Sequence, residues 1–337
     1  MIKEALLKII DNKEDLSREE MSSVMDEIMS GICPPALIGA FLVSLRMKGE
    51  TIEEISGAAE SMRKNAIHIK TKHRNVIDTC GTGGDKSDTF NVSTTAAFIA
   101  AGAGVPVAKH GNRAVSSKCG SADLVEALGV KLEIPPEKIG RCLDEAGIAY
   151  LFAPLLHTSM KFVAPVRKEL GIRTIFNIIG PLANPAGVKH QVIGVFSEKL
   201  MIDYIHVLKN IGHARALVVH GHDGLDEISL AGPTKIMELK NGKIESYTVK
   251  PEDFGARKSK LSSIKGGDIS LNKSITLNIL KGEGGVFADM AIINAAAGIV
   301  AGGKADSLKE GADLARQSIS SRAALKTLEA LKELSNS

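Results

Sequence analysis

The first part of the chain, up to about residue 65, shows only the hydrophobic spacing of helices. Two segments, SREE at 17–20 and TIEE at 51–54, match the capping box that marks a helix start. A third helix is predicted over 36–46, after a pair of prolines. Its apolar face consists of Leu37, Ala40, Phe41, Leu42 and Leu45. No strand candidate precedes Val76, so the pattern predicts four helices in a small helical domain.

From residue 76 onward, short apolar runs alternate with helical patterns. The strand candidates are 76–78, 105–108, 148–152, 192–196 and 216–219. Helices are predicted between them, for example over 136–146 and 199–211. This alternation predicts a mostly parallel sheet with helices on both faces. We therefore predict an α/β protein with a small N-terminal helical domain, residues 1–70, a basic hinge at 68–74, and a large α/β domain, residues 71–337.

The C-terminal part adds a hairpin and further helices to this pattern. Residues 235–249 alternate around Asn241-Gly242, which predicts a β-hairpin with a type I′ turn. The alanine-rich run 286–301 predicts a buried helix, and 306–317 and 322–334 predict amphipathic helices.

Composition and charge exclude several classes of function. The formal net charge is only +3 over 337 residues, which gives no electrostatic basis for binding nucleic acid or a membrane surface. Aromatic residues make up 4% with no Trp, which argues against stacking on single-stranded nucleic acid. The cysteines, Cys33, Cys80, Cys119 and Cys142, form no CxxC pair, so neither a zinc site nor a redox dithiol is indicated. No signal-peptide pattern and no membrane-spanning apolar run is present, and we expect a cytoplasmic protein.

A glycine-rich turn directly follows the first predicted strand. The segment 78–85 reads DTCGTGGD, and its glycines allow the backbone to approach a ligand closely. Ser93 or Thr94 is the predicted N-cap of a helix that includes the apolar run 96–101. The positive end of that helix would face the glycine turn, which is the outline of a phosphate site.

A second polar loop follows the next strand. Residues 109–117 read KHGNRAVSS, and Ser121 is the predicted cap of a helix over 122–128. Cations, an amide, hydroxyls and a glycine suit a phosphate ester, although an ordinary connection with solvated charges reads the same way. Two such loops at the carboxyl ends of strands favour a ligand site, because open α/β sheets bind ligands there.

Four further groups were considered for chemistry. Arg167, on a helix predicted over 160–171, could bind a carboxylate through two hydrogen bonds or could be a surface side chain with a buried stem. The proline-broken segment 177–185 could form a pocket wall or simply end a helix.

The acidic pair Asp226-Glu227 suits Mg²⁺, which takes one or two carboxylates plus substrate phosphates. A turn with solvated acids is the alternative. His220-x-His222 lacks a third zinc ligand at a suitable spacing.

Motifs of several common nucleotide and hydrolase sites are missing. No GxxxxGK[ST] sequence occurs, and Gly102-x-Gly104 lacks the third glycine of a dinucleotide-binding fingerprint. No GxSxG nucleophile elbow is present.

Together these segments resemble the anthranilate phosphoribosyltransferase family over nearly the whole chain. The most specific segments are 78–85 (DTCGTGGD), 91–94 (NVST), 109–114 (KHGNRA), 177–182 (NIIGPL) and Asp226-Glu227. The resemblance implies a fold of the nucleoside phosphorylase/phosphoribosyltransferase type, with the site in the cleft between the two domains. It also implies that a segment near 165–185 joins the helical domain, and that the protein is a homodimer through that domain.

The same resemblance implies transfer of the 5-phosphoribosyl group from phosphoribosyl pyrophosphate (PRPP) to the amine of anthranilate, with release of pyrophosphate, in tryptophan biosynthesis. The implied PRPP site is Gly81, Gly84, Asp85, Thr89, Asn91, Val92, Ser93, Thr94, Lys109, His110, Gly111, Asn112, Arg113, Ala114, Val115, Ser116, Ser117 and Ser121. The implied anthranilate site is Gly81, His110, Asn112, Arg167 and Pro181. The implied Mg²⁺ contacts are Ser93, Asp226 and Glu227.

The residue types agree with this chemistry. Lys109, backbone amides and Mg²⁺ can stabilise the negative charge of departing pyrophosphate. The substrate amine is itself the nucleophile, so no nucleophilic side chain is needed, and we assign no general base.

Two alternative functions stay open. A pyrimidine-nucleoside phosphorylase of the same fold would bind inorganic phosphate and need no magnesium pair. A non-catalytic nucleic-acid-binding relative should have lost the glycine turn and gained basic patches.

Overall fold

The computed structural model describes residues 1–85, 87–114 and 118–337. The N-terminal part folds into the helices α1 (Ile2–Asp11), α2 (Arg18–Met29), α3 (Pro35–Lys48) and α4 (Ile52–Lys64). Both predicted capping boxes are formed, by Ser17 with Glu20 and by Thr51 with Glu54. Each box satisfies backbone amides at the start of its helix, so local sequence sets where α2 and α4 begin.

A seven-stranded sheet forms the centre of the rest of the chain. Its strands are β1 (Ile77–Gly81), β2 (Val107–Gly111), β3 (Ile148–Phe152), β4 (His190–Gly194), β5 (Arg215–Gly221), β6 (Thr234–Lys240) and β7 (Lys243–Val249). The order across the sheet is β3-β2-β1-β4-β5-β6-β7. The pairs from β3 to β5 are parallel, and β6 and β7 are added antiparallel. The mostly parallel sheet that the alternation predicted is confirmed.

Helices cover the sheet on both faces. They are α5 (Val92–Gly102), α6 (Ser121–Ala127), α7 (Pro136–Ala146), α8 (Ala153–Leu156), α9 (Ala164–Leu170), α10 (Glu198–Asn210), α11 (Ile269–Leu280), α12 (Val286–Ala301), α13 (Leu308–Ser320) and α14 (Ala323–Asn336). Short 3-10 helices are Thr158–Phe162, Ile175–Asn177, Gly180–Leu182, Pro251–Phe254 and Leu261–Ile264. The predicted alanine-rich helix is α12, which is buried over most of its length. Within the ranges described, none of the helices is long and apolar enough to cross a membrane.

The hairpin prediction is also confirmed. Asn241 and Gly242 connect β6 to β7 with φ values of 50° and 77°. Positive φ at both central positions is the mark of a type I′ turn, whose twist matches that of the flanking strands.

Two hydrophobic cores lie on opposite faces of the sheet. The first contains α5, α12, α13 and α14 with one face of the strands. The second contains α1 to α4, residues of α9 and α10, and the other face. In β5, Leu217 belongs to the first core and Val218 to the second, as the two-residue period of a strand requires.

Local structure differs from the prediction at the start of the second polar loop. Lys109, His110 and Gly111 are strand residues rather than loop residues, because they pair with β3 at Tyr150, Leu151 and Phe152. Pairing with a neighbouring strand has outweighed the polar composition of this segment.

Three helix starts also differ from the prediction. The N-cap of α5 is Asn91 rather than Ser93 or Thr94, and Gly120 precedes α6, so that Ser121 is its first helical residue. The helix predicted over 160–171 is interrupted at Val163, between a 3-10 helix and α9. Pro165 has no amide hydrogen to continue a helix from residue 161, which explains the break.

Candidate active site

Four adjacent parallel strands end in glycine at the same edge of the sheet. These glycines are Gly81, Gly111, Gly194 and Gly221, at the ends of β1, β2, β4 and β5. Gly81 and Gly194 are partners in the register of β1 with β4. The missing side chains allow the loops at this edge to pack directly against the strand ends, in the position where open α/β sheets bind ligands.

The acidic pair Asp226-Glu227 lies in the connection between β5 and β6, at this glycine edge. The Gly83 amide donates to Asp226 Oδ2 at 2.9 Å. Glu227 lies beside Ser93, and both residues line one small cavity with Gly81 and Gly194. The structure therefore brings together the three residues that were predicted to contact Mg²⁺, Ser93, Asp226 and Glu227, between the glycine turn and the start of α5.

Burial gives this pair unusual protonation behaviour. Desolvation, and then the nearby Asp85 carboxylate, raise the pKa of Asp226 to about 7. Desolvation and then Asp226 raise the pKa of Glu227 well above its usual value, while Lys109 opposes the rise. Adjacent acids that resist ionisation are stabilised when a cation binds between them. The pair therefore fits a divalent cation on grounds of charge.

The acids alone do not complete a metal site. Among the described residues, no three or more His, Cys, Asp or Glu side chains are grouped so as to hold a metal ion. Mg²⁺ commonly takes one or two protein carboxylates and completes its octahedron with water and substrate phosphates. The donor set here therefore suits an ion that arrives with a phosphorylated ligand.

Lys109 lies on β2 with a buried side chain, and its charge acts on Glu227. Its Nζ donates to the Thr79 carbonyl oxygen and, at 3.3 Å, to Ser93 Oγ. Thr79 Oγ1 in turn donates to the Ser93 carbonyl oxygen at 3.1 Å. The ammonium group thus joins β1, β2 and the first turn of α5, which also contains Val92 and Thr94.

The other residues predicted around the glycine turn are held by contacts of their own. Gly84 has φ of 83°, a conformation that favours glycine. Asp85 accepts from the Ser87 amide at 3.1 Å and from its hydroxyl at 2.6 Å. Thr89 pairs with Lys265 as an isolated bridge. Asn91 donates through Nδ2 to the Cys119 carbonyl at 3.1 Å, and its buried Oδ1 has no partner among the described residues.

The second polar loop is only partly described. Val115, Ser116 and Ser117 lie outside the described residues, whereas Asn112, Arg113 and Ala114 are described. Ser121 Oγ lies 2.7 Å from the Tyr150 hydroxyl, which fixes the start of α6 against β3.

Arg113 is not a free cation in this structure. Its Nη1 lies 2.8 Å from a Glu126 carboxylate oxygen and 3.2 Å from one of Asp123. Its guanidinium also stacks over Phe152. Asp123 and Glu126 lie three positions apart, on one side of α6. This spacing in the sequence was the signal for the ion pairs of Arg113, and it was missed.

Two buried imidazole rings, those of His110 on β2 and of His157, lie next to each other. The rings of His110 and His157 are 5.1 Å apart, and the Nε2 atom of each has no hydrogen-bond partner among the described residues. Burial, and then His157, lower the pKa of His110 to about 3. Burial lowers the pKa of His157 to about 4. Both rings are therefore neutral at physiological pH. His157 was not predicted as a site residue, since its short sequence context carries no motif.

Arg167 projects from α9 with a partly buried side chain. Its guanidinium lies over the Phe176 ring, 5.5 Å from the centroid. Burial lowers its pKa from the ordinary arginine value. In the described ranges it forms no ion pair and no side-chain hydrogen bond, including none with His110 or Asn112. A half-buried guanidinium without an acid partner is suited to an anionic ligand.

Buried hydrogen bonds connect the proline-broken segment 177–185 to the sheet. Asp78 accepts from Asn184 Nδ2 at 2.8 Å and from the His110 amide at 3.2 Å. Asn184 also donates to the Ala108 carbonyl at 2.8 Å. Gln191 donates to the carbonyl oxygen of Pro181 at 2.7 Å. The loop that carries Pro181 is thus held against β1, β2 and β4, which sequence reasoning did not foresee.

Two family models match the chain, one over its N-terminal helices and one over its α/β part. Residues 3–66 match the family described as "Glycosyl transferase family, helical bundle domain". Residues 73–325 match the family described as "Glycosyl transferase family, a/b domain". Fold and site together define a glycosyltransferase of the class that pairs a helical bundle with an α/β domain.

Individual relatives narrow this class. An anthranilate phosphoribosyltransferase from Symbiobacterium thermophilum is 50% identical over 332 residues, covering 98% of this chain and 97% of the relative. The chain belongs to the anthranilate phosphoribosyltransferase family. The crystal structure of such an enzyme from Thermus thermophilus matches with a TM-score of 0.93 at 43% identity, covering 100% of this chain and 99% of that one.

Ligand complexes exist for a more distant relative. The anthranilate phosphoribosyltransferase from Saccharomyces cerevisiae in complex with PRPP and Mg matches with a TM-score of 0.91 at 27% identity, covering 99% of this chain and 98% of that one. The same yeast enzyme in complex with 4-fluoroanthranilate matches with a TM-score of 0.89.

Proposed function

We propose that this chain transfers the 5-phosphoribosyl group of PRPP to the amine of anthranilate, giving N-(5-phosphoribosyl)anthranilate and pyrophosphate, in tryptophan biosynthesis. The observation that carries the proposal is the meeting of the Gly83 amide, Ser93, Asp226 and Glu227 at one sheet edge. Amides and a helix start suit phosphate oxygens, and the paired acids suit the cation that accompanies them. The family membership and the ligands of the yeast relative support this choice.

For the donor, we propose that Ser93, Asp226 and Glu227 hold Mg²⁺ together with the diphosphate. Bound there, the ion would neutralise charge that develops on the departing pyrophosphate. The amides of the glycine turn and of the α5 start would bind diphosphate oxygens. Lys109, which is bonded to Ser93 Oγ at 3.3 Å, would hold the first turn of α5 in place and add positive potential.

For the acceptor, we propose that Arg167 binds the anthranilate carboxylate. Gly81, His110, Asn112 and Pro181 would form the walls that place the amine near the anomeric carbon. His110 is neutral at physiological pH, so it presents an uncharged surface to the aromatic ring. Positioning of this kind can lower a barrier by several kcal/mol without a nucleophilic side chain. We assign no general base, because the amine becomes acidic once it bonds to carbon.

We further propose the domain division that the sequence suggested, residues 1–70 with a segment near 165–185, and residues 71–337 otherwise. Its support is the second core, in which Val166, Ile175 and Phe176 pack in the same cluster as the side chains of α1 to α4. The substrates would then meet in the cleft between the two parts.

We also propose that the protein is a homodimer through the helical domain and acts in the cytoplasm. Large apolar side chains are exposed on this domain at Leu7, Ile10, Ile32 and Met47. An interface with another chain would remove these apolar groups from water. Cys33, Cys80 and Cys142 are free thiols, which fits a reducing compartment. Light scattering on the purified protein tests the dimer.

The decisive experiment is to incubate the protein with PRPP, anthranilate and Mg²⁺ and to follow the consumption of anthranilate. We expect turnover that needs all three components. Turnover of a pyrimidine nucleoside with inorganic phosphate and no Mg²⁺ would instead identify a phosphorylase. Binding of single-stranded DNA in a gel-shift assay, without turnover of either kind, would identify a nucleic-acid-binding relative.

A further inference from the structure

Arg173 lies between α9 and β4, on the segment that leads to the proposed acceptor wall. Its side chain is exposed, but its backbone is fixed, because the Arg46 guanidinium of α3 donates to the Arg173 carbonyl oxygen. The next residue, Thr174, is buried and begins the 3-10 helix Ile175–Asn177. The side chain of Arg173 therefore projects from a fixed base.

The Arg173 guanidinium reaches the glycine turn. It stacks over the ring of Phe196, just beyond the end of β4, with Cζ 4.8 Å from the ring centroid. A Cβ built on Gly84 would lie 2.6 Å from Arg173 Nη2. An arginine that stacks on an aromatic ring keeps its in-plane N–H groups available for a ligand. One edge of this guanidinium thus lies against the turn proposed to bind the donor.

The charges of the neighbouring cations are already balanced or occupied. Lys109 is bonded to the Thr79 carbonyl oxygen and to Ser93 Oγ. Arg113 forms ion pairs with Asp123 and Glu126. Arg173, in contrast, has no ion pair with any residue in the described part of the chain. Of these three cations, it is the one whose charge is open to an incoming anion.

We propose that Arg173 is a further donor-binding residue, which contacts the diphosphate of PRPP from the acceptor side of the cleft. The diphosphate, rather than the 5-phosphate, is indicated because the Gly83 amide beside Gly84 is bonded to Asp226 of the proposed metal pair. An arginine fork forms charge-assisted hydrogen bonds to phosphate oxygens. Since Arg173 and the proposed acceptor wall share one segment, donor binding would also order that wall. This inference rests on the proposed function.

The test compares Arg173→Gln, Arg173→Lys and the matched control Lys168→Gln, which removes an exposed charge from the last turn of nearby α9. Isothermal titration calorimetry measures the binding of PRPP, pyrophosphate and ribose 5-phosphate, each with Mg²⁺. We expect Arg173→Gln to weaken PRPP and pyrophosphate about tenfold to a hundredfold, the range for a lost hydrogen bond to a charged group. Ribose 5-phosphate binding should be unchanged, Arg173→Lys should give an intermediate loss, and Lys168→Gln should bind as the wild type does.

Steady-state kinetics and thermal unfolding complete the test. The KM for PRPP should rise in Arg173→Gln while the melting temperature stays that of the wild type. Unchanged pyrophosphate affinity in a folded Arg173→Gln variant would overturn the inference, as would an equal loss in Lys168→Gln. A wild-type protein that binds neither PRPP nor pyrophosphate would overturn the proposed function instead, so the two failures can be told apart.

Discussion

Gly194 and Asp226 approach each other so closely that any side chain on Gly194 would overlap the Asp226 backbone carbonyl group. The strand β4 ends at this glycine, and the loop that carries the acidic pair lies directly on it. Its register partner Gly81 is restricted in the same way, because a Cβ there would lie 2.9 Å from Asp226 Oδ2. The position of the acidic pair is thus set by the absence of side chains at two neighbouring strand ends.

This relationship predicts the effect of Gly194→Ala. The methyl group collides with backbone atoms, which cannot rotate away, so the loop must shift and take Asp226 and Glu227 with it. We expect a loss of about 1–3 kcal/mol in the free energy of unfolding, the usual cost of overpacking, together with a large loss of Mg²⁺-dependent turnover. Urea unfolding and kcat measure the two effects. The control is Gly284→Ala, since nothing lies within 4 Å of a Cβ at that position. Wild-type activity in Gly194→Ala would contradict the assigned role of the loop.

The raised pKa of Asp226 predicts how stability depends on pH without metal. An aspartate in the unfolded chain titrates near pH 3.9, and Asp226 in the folded protein titrates at about 7. Between these values the folded state binds more protons, so the contribution of Asp226 to the free energy of unfolding falls as pH rises from about 4 to 7. An asparagine at this position does not titrate, so the variant Asp226→Asn lacks this decrease in the free energy of unfolding. It should be more stable than the wild type by about 1–3 kcal/mol near pH 8 in EDTA.

Urea unfolding near pH 5 and pH 8 measures the effect, with exposed Asp306→Asn as the control. At the lower pH the advantage of Asp226→Asn should shrink to about a third, because only the part of the fall between about pH 4 and pH 5 has then occurred. If instead the wild type becomes more stable relative to Asp226→Asn as the pH rises from 5 to 8, burial does not raise the pKa of the Asp226 carboxyl group.

The acidic pair also predicts the metal requirement. In the double variant Asp226→Asn and Glu227→Gln, the shapes are kept and the charges are removed, so Mg²⁺ should bind weakly and Mg²⁺-dependent turnover should disappear. In the wild type, protons compete with the ion, and the Mg²⁺ concentration needed for half-maximal activity should rise about tenfold per unit of pH below about 7. A double variant with wild-type turnover would remove the proposed metal site. A flat Mg²⁺ requirement across this pH range would show that these carboxyl groups do not bind the ion.

Local signals were enough to predict much of the fold. The capping boxes at Ser17 and Thr51 and the turn at Asn241-Gly242 depend on residues a few positions apart, and each formed as expected. Chemistry that depends on distant residues was not predictable in the same way. Lys109 to Gly111 became strand because β3 pairs with them. The Asp78–Asn184 bridge joins residues 106 positions apart.

For the candidate site too, nearby residues could be interpreted from the sequence and contacts between distant residues could not. The motifs located the glycine turn and the acidic pair, because each is a short run of residues whose chemistry is evident by itself. The stacking of Arg173 on Phe196 and the pairing of His110 with His157 could not be predicted, because Arg173, Phe196 and His157 belong to no motif. Arg113 was predicted as a donor contact, and the structure adds its ion pairs with Asp123 and Glu126, which a phosphate would have to displace or share.

The buried bridge between Asp78 and Asn184 predicts a strong effect on stability. Asn184→Ala leaves the Asp78 carboxylate and the Ala108 carbonyl without this donor inside the protein. A buried group left unsatisfied costs about 1–3 kcal/mol, and more if it is charged, so we expect a loss of about 3 kcal/mol in the free energy of unfolding. Asn75→Ala, at an exposed position outside the helices and strands, is the control. Urea unfolding that gave both variants wild-type stability would show that the bridge does not hold the Pro181 loop.

The final prediction concerns Arg167, whose guanidinium stacks on Phe176 and has no acid partner among the described residues. If it binds the anthranilate carboxylate, Arg167→Ala should raise the KM for anthranilate about tenfold to a hundredfold and leave the KM for PRPP within about twofold. Arg167→Lys should recover only part of the loss, because an ammonium group cannot form the paired hydrogen bonds of a guanidinium. The exposed neighbour Lys168→Ala should leave both constants unchanged, which separates a specific contact from a general change of charge on α9. Equal increases in both KM values for Arg167→Ala would show that the residue supports the fold of the cleft rather than the acceptor.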